Sequence, residues 1–118
     1  MKLTDLDPAL AAPARLAIVA TLARGQRLTY TALREETGLA DGNLHVQTRK
    51  LIAAGYLIRE RVQQGARTAT RFELTERGRL NFLEYVRRLR EAAEDSYAAA
   101  RGAAGADKRR PADPSRVW

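Results

Sequence analysis

Along "PARLAIVATLAR" the apolar residues Leu16, Val19, Ala20 and Ala23 recur at helical spacing, with Pro13 suited to the first turn and Gly25 to the stop. Asp7 and Pro8 form a cap and first helical position before it, but Pro13 prevents one continuous helix, so a short turn is expected at 8–11. Arg27–Leu28 is expected as a short strand. Thr29 then caps a helix over "YTALREETG", with Leu33 and Thr37 on one side and Gly38 as its end. A third helix opens at Ala40 or Asp41, turns Leu44, Thr48, Leu51 and Ile52 inward, and stops at Gly55. Only "GLA" separates these two helices, which forces close packing at a steep angle.

After Gly55 the period falls to about two. "YLIRERV" and "TATRFEL" place Ile58 and Val62, then Thr70, Phe72 and Leu74, at alternating positions, and "QQGAR" joins them as a hairpin. Thr75 caps a long fourth helix over about 75–101, with Gly78 in the first turn, where a poor helix former costs least. Phe82, Val86, Leu89 and Ala93 step by 4, 3 and 4, the spacing of a coiled-coil seam, and Tyr97 follows. Glu84–Arg88, Arg87–Glu91 and Arg90–Glu94 are expected ion pairs along its polar side. Residues 1–101 are thus read as one domain, and 102–118, "GAAGADKRRPADPSRVW", as a disordered basic tail.

The elements define a mainly α chain with a small β-hairpin (α+β). Helix, short turn, helix and hairpin form the outline of a winged helix-turn-helix, extended here by a long C-terminal dimerisation helix. On a helical wheel of the third helix, Leu44, Thr48 and Leu51 cluster, while Gly42, Val46 and Arg49 fall opposite, flanked by Asn43, His45 and Lys50. Arg49 can give a bidentate pair to guanine, Asn43 or Gln47 can pair with adenine, and Val46 can touch a thymine methyl. A solvated face would also explain the polar residues, but solvent gives no reason for the valine. In the hairpin, Gln64, Arg67 and Arg71 are expected at or near the tip, able to reach backbone or minor groove. A polar turn protecting the strand edges is the plainer reading of those three.

Composition narrows the chemistry. At 118 residues, 45% hydrophobic and 30% charged, the chain suits one globular domain, and its apolar runs are too short to span a bilayer. There is no cysteine and a single histidine, His45, which excludes disulfides, thiolate sites and a multi-histidine metal centre. No serine, cysteine and acid arrangement accompanies His45, so neither an enzyme nor a cofactor is expected. Asp5 and Asp7 interrupt any signal-peptide layout, making the cytoplasm the expected location. The net charge of +7 favours an anionic partner. Residues 1–74 carry 11 basic and 7 acidic groups, against 6 and 5 in residues 75–101.

The fourth helix is too long for its own small domain. Pairing of Phe82, Val86, Leu89, Ala93 and Tyr97 with a second copy, helped by Leu6 and Leu10, would bury the seam and fix the spacing of two recognition helices. The alternative is a helix folded back on its own domain.

Several motifs occur in a characteristic order: P-x-R-L-x-I in the first helix, L-x-x-x-T-G-L in the second, D-G-N-L and K-L-x-x-x-G-Y bounding the third, and L-T-x-x-G-R after the wing. Over roughly residues 6–100 the chain resembles the compact winged-helix transcriptional regulators related to the MarR and ArsR families. The resemblance implies a homodimer that binds a near-palindromic double-stranded DNA operator. It departs at Thr48, where such proteins usually keep leucine, and at Ala40, where serine or threonine is frequent. The metal-sensing branch uses cysteines absent here, so metal sensing is not implied, and no small-molecule effector is defined. Two further readings stand beside it: an architectural DNA-binding protein with little sequence preference, and a winged-helix protein-interaction module.

Overall fold

The computed structural model of the chain describes residues 6–25 and 27–107. A 3-10 turn, Pro8–Leu10, precedes helix α1, Pro13–Leu22; strand β1, Leu28–Thr29, leads into α2, Tyr30–Thr37, and α3, Asp41–Ala53. Strands β2, Leu57–Gln64, and β3, Arg67–Leu74, form the hairpin, and α4 runs from Glu76 to Asp107. The strand order is β1-β3-β2, antiparallel throughout. The short strand thus lies one residue later than Arg27–Leu28.

Helix α1 is the centre, touching α2, α3, β3 and α4 as well as the N-terminal turn. This explains why its burial exceeds one stripe: Ile18 and Leu22 are fully buried beside Val19, while Leu16 and Ala23 only border the core. Leu33 from α2, Leu44 and Leu51 from α3, and Tyr56, Leu57, Phe72, Leu74 and Tyr85 complete the core. Leu10 is also wholly buried in this chain, so it cannot serve the interface between copies for which its apolar character suits it. Leu6 packs against the same core and is partly covered.

Register overturns one strand expectation. Leu57 pairs with Leu74 and Arg59 with Phe72, so Ile58 and Val62 share the opposite face with Glu73 and Ala69. Leu57 is buried and Ile58 is 52% exposed. Adjacent apolar residues at the start of β2 allow either phase, and pairing with Leu74 selects this one. The hairpin loop is also tighter than "QQGAR": Gln64 pairs with Arg67, leaving two residues, Gly65 at φ 64° and then Ala66. Glycine with positive φ at the first central position suits a type II′ turn, whose twist matches that of the strands.

Three caps use hydroxyl or carboxylate oxygens. Asp7 Oδ1 accepts from Ala9 N at 3.0 Å, Thr29 Oγ1 from Ala32 N at 3.2 Å, and Thr75 Oγ1 from Gly78 N at 2.9 Å. Helix α3 lacks this: Ala40 has the extended backbone of a cap, φ −64° and ψ 149°, close to Thr29 at −66° and 161°, but no side-chain bond. Ala40→Ser is therefore expected to raise stability by about 1 kcal/mol. An unchanged urea midpoint would show that solvent already satisfies these amides.

Helix α4 continues through Gly102 and Gly105 to Asp107, beyond the 101 boundary that the glycines suggest. Alanines at 98–100, 103, 104 and 106 offset two glycines in helix propensity. The rest of the expected tail, 108–118, lies outside the described residues. At 32 residues the helix is about 48 Å long, and it accounts for most of the 65 Å long axis of the molecule.

Candidate nucleic-acid interface

Helix α3 is set in place from both ends. Gly38, at φ 70°, closes α2 in the left-handed region and lets the chain turn directly into α3. The Tyr30 hydroxyl shares its proton between the Asp41 carbonyl, 2.8 Å away, and Asp41 Oδ1 at 2.7 Å, and its ring meets Phe72 of the hairpin with centroids 6.4 Å apart. Burial, and then the bond to Asp41, hold the Tyr30 hydroxyl above its ordinary pKa, so it remains a donor there. One residue thus joins the starts of α2 and α3 to the wing. At the other end, Thr75 Oγ1 donates to Gly55 O at 2.6 Å and fixes the corner between α3 and β2.

Of the residues singled out on α3, Gly42, Asn43, His45, Val46, Arg49 and Lys50 are exposed, and Gln47 is half-buried. Val46 stands 45% open among them. Thr48 is buried, and its hydroxyl donates back to Leu44 O at 2.8 Å, so no polar group is stranded. Arg15, from the P-x-R-L-x-I motif, connects this helix to the N-terminal turn. Its Nε donates to Ala9 O at 2.7 Å, one terminal nitrogen to Pro8 O at 3.3 Å, and the other to Gln47 Oε1 at 2.9 Å. Gln47 Nε2 in turn donates to Asn43 Oδ1 at 3.0 Å.

Between α3 and the hairpin lies a cleft of about 330 Å³, lined by Tyr30, His45, Thr48 and Arg49 on one side and Arg59, Arg61, Thr70 and Phe72 on the other. Arg59 and Arg61 are additions to the residues expected at the site. Their signal is present at alternate positions of "LIRERV", but their cross-strand partners Phe72 and Thr70 are needed to place them on the face toward α3. Among the described residues, no ion pair neutralises Arg49, Arg59 or Arg61, whereas Arg27, Arg34 and Arg71 each face a carboxylate. The cleft is therefore cationic and can receive an anion.

The remaining wing residues divide. Gln64 and Arg67 form the last pair before the tip. Arg71 is mid-strand on the same face as Gln64 and Arg67, the face away from the cleft, and is bonded to Glu60. That placement corrects its position at the tip: its pairing with Glu60, fixed by register, turns it away from the cleft.

On α4, Tyr85 is the anchor to the domain. Phe82 and Val86 are half-buried, while Leu89, Ala93 and Tyr97 are open, as are Leu80 and Leu83, which the seam spacing omits. A groove beside Phe82, Leu83 and Val86 is bordered by Arg87, Arg90 and Glu94. Glu84 receives hydrogen bonds from Arg87 at 2.6 Å and Arg88 at 2.7 Å, which lower its pKa to about 2. Arg87 also reaches Glu91 at 2.9 Å; no ion pair joins Arg90 to Glu94 among the described residues.

The sequence matches the family of winged helix DNA-binding domains over residues 14–93. The chain belongs to that family. No curated protein matches it significantly. Among solved structures it is similar to a transcriptional regulator homologue from Pyrococcus horikoshii OT3, with 23% identity and a TM-score of 0.69 over 74% of this chain and 86% of that one. A protein described as a MarR-family transcriptional regulator from Enterococcus faecalis V583 gives 17% and 0.69, over 86% and 94%. NadR in complex with 4-hydroxyphenylacetate gives 21% and 0.61, over 91% and 75%. The fold is that of a MarR-like winged helix.

Proposed function

We propose that the chain is a sequence-specific transcriptional regulator that binds double-stranded DNA as a homodimer, with α3 in the major groove and the hairpin as its wing. The observation that carries this reading is the cleft between them, where Arg49, Arg59 and Arg61 lack acidic partners among the described residues beside an exposed Val46 on the same helix as Arg49. A phosphate fits such a cleft, and base edges fit the outward face of α3. Gly42 at the start of α3 leaves room for backbone to approach, and Lys50 and His45 flank the face. Structural neighbours described as transcriptional regulators support regulation of transcription as the setting. Selection from a random duplex library tests the reading: a defined motif is expected. A diffuse, salt-dominated preference would instead establish an architectural role, and no binding would favour a protein partner.

The homodimer rests on α4. Its apolar arc of Phe82, Leu83, Val86, Leu89, Ala93 and Tyr97 extends past the single domain it anchors to, and a second copy would cover it. Sedimentation should give a dimer at roughly ten micromolar, within reach of an interface of modest size. Val86→Asp should shift it to monomer, because a carboxylate would be buried without a partner. A Val86→Asp protein that still dimerises would remove α4 from the interface.

A further inference from the structure

We infer that Arg15 sets the hydrogen-bond polarity of the recognition face, so that Asn43 turns its oxygen along the helix toward Gln47 and its donors outward, and reads guanine rather than the adenine its side chain would ordinarily suit. The inference rests on the proposed insertion of α3 into the major groove. A guanidinium has only donors, so the Gln47 atom facing Arg15 must be oxygen. The amide nitrogen of Gln47 must then face Asn43, and the Asn43 atom it meets must also be an oxygen. Each step is forced by the one before it. The relay begins at a rigid point, because the same guanidinium is held by the carbonyls of Ala9 and Pro8 in the N-terminal turn.

The consequence lies at the exposed end. Adenine recognition requires an amide that donates to N7 and accepts from N6, using nitrogen and oxygen together. Asn43 Oδ1 is held toward Gln47 along the helix by the bond it accepts there, while no hydrogen bond among the described residues uses its Nδ2 as a donor. Two outward N–H groups match the adjacent O6 and N7 acceptors of guanine, and oppose the N6 or N4 amino groups of adenine or cytosine. Arg15 is thus a positioning residue: it stands behind the helix and acts through Gln47.

Duplex selections with the full-length protein and its variants provide the test. Asn43→Ala identifies the base pair concerned by relaxing the motif there. The wild type is expected to show guanine at that position. Gln47→Glu keeps a partner for Arg15 but offers Asn43 only an oxygen, so Asn43 must turn its Nδ2 inward and its Oδ1 outward. The preference should then move from guanine toward cytosine or adenine, with the guanine-to-cytosine affinity ratio falling by about tenfold or more. Gln47→Leu breaks the relay, leaves Asn43 free to turn, and should let adenine in. Taking the ratio between two duplexes cancels the general loss caused by an added negative charge.

Adenine selected by the wild type at the Asn43 position, or the same base kept by both Gln47 variants, would overturn the inference while leaving a defined motif, and the proposed function, intact. A wild type that selects no motif would overturn both. Circular dichroism of Gln47→Leu separates a shift in preference from loss of fold.

Discussion

Replacing Gly78 with alanine should destabilise the protein by about 1 to 3 kcal/mol, the usual cost of forcing extra volume into a packed site. Helix propensity alone gives the opposite sign, a gain of up to about 1 kcal/mol for glycine to alanine inside a helix. The geometry decides between them. A Cβ at position 78 would lie 2.6 Å from the Tyr56 carbonyl oxygen, 3.0 Å from Tyr56 Cα and 3.1 Å from Thr75 Oγ1. None of these is the loose end of a flexible side chain. The Tyr56 carbonyl accepts from Thr75 N at 2.8 Å, and Thr75 Oγ1 is committed to Gly78 N and Gly55 O. To make room, α4 would have to withdraw from the corner where α3 becomes the wing, opening the cap of one element and the exit of another. Gly102→Ala is the control: it lies in the same helix with nothing within 4 Å, so it should be neutral or stabilising. Urea unfolding of the two variants separates the cases, and a Gly78→Ala protein as stable as wild type would mean that the corner yields without cost.

Position 78 also marks a limit of what the chain reveals before folding. A glycine in the first turn of a helix reads as a tolerated weakness, because the atom that requires it belongs to Tyr56 across a corner. The helix pair and hairpin are legible because their signals are local: Thr29 and Thr75 as caps, Gly38 and Gly55 as stops, and a change of period between them. Features that depend on pairing are not. Ile58 and Leu57 are both apolar, and only the partner Leu74 decides which one enters the core. Arg59 and Arg61 become part of the cleft through that same register. Ile18 and Leu22 escape a one-face stripe, which is the wrong template for a helix packed on several sides. Arg15 and Gln47 stand 32 positions apart and meet only after α1 packs on α3. Leu10 shows the converse: an apolar residue in a short turn invites a second copy, because its local pattern does not reveal that its own chain covers it completely.

The cleft makes Arg49 the decisive residue for what α3 does. Three arginines converge there, and a phosphate could satisfy all three, in which case Arg49 would contribute charge and no selectivity. Yet Arg49 alone of the three stands on α3, one turn from the exposed Val46, where a guanidinium fork beside a small apolar group suits a guanine next to a thymine. Arg49→Ala is therefore expected to cost on the order of 1 to 3 kcal/mol on the selected duplex and much less on random DNA, so specificity falls with affinity. Arg59→Ala and Lys50→Ala should weaken both duplexes in similar proportion and flatten the dependence of log affinity on log salt by about one unit for each phosphate no longer neutralised. Binding isotherms on two duplexes at several salt concentrations measure all of this in one series. Should Arg49→Ala lose the same factor on every sequence and follow Arg59→Ala in salt dependence, the cleft is a phosphate clamp throughout, and the protein is an architectural binder rather than a regulator that reads bases.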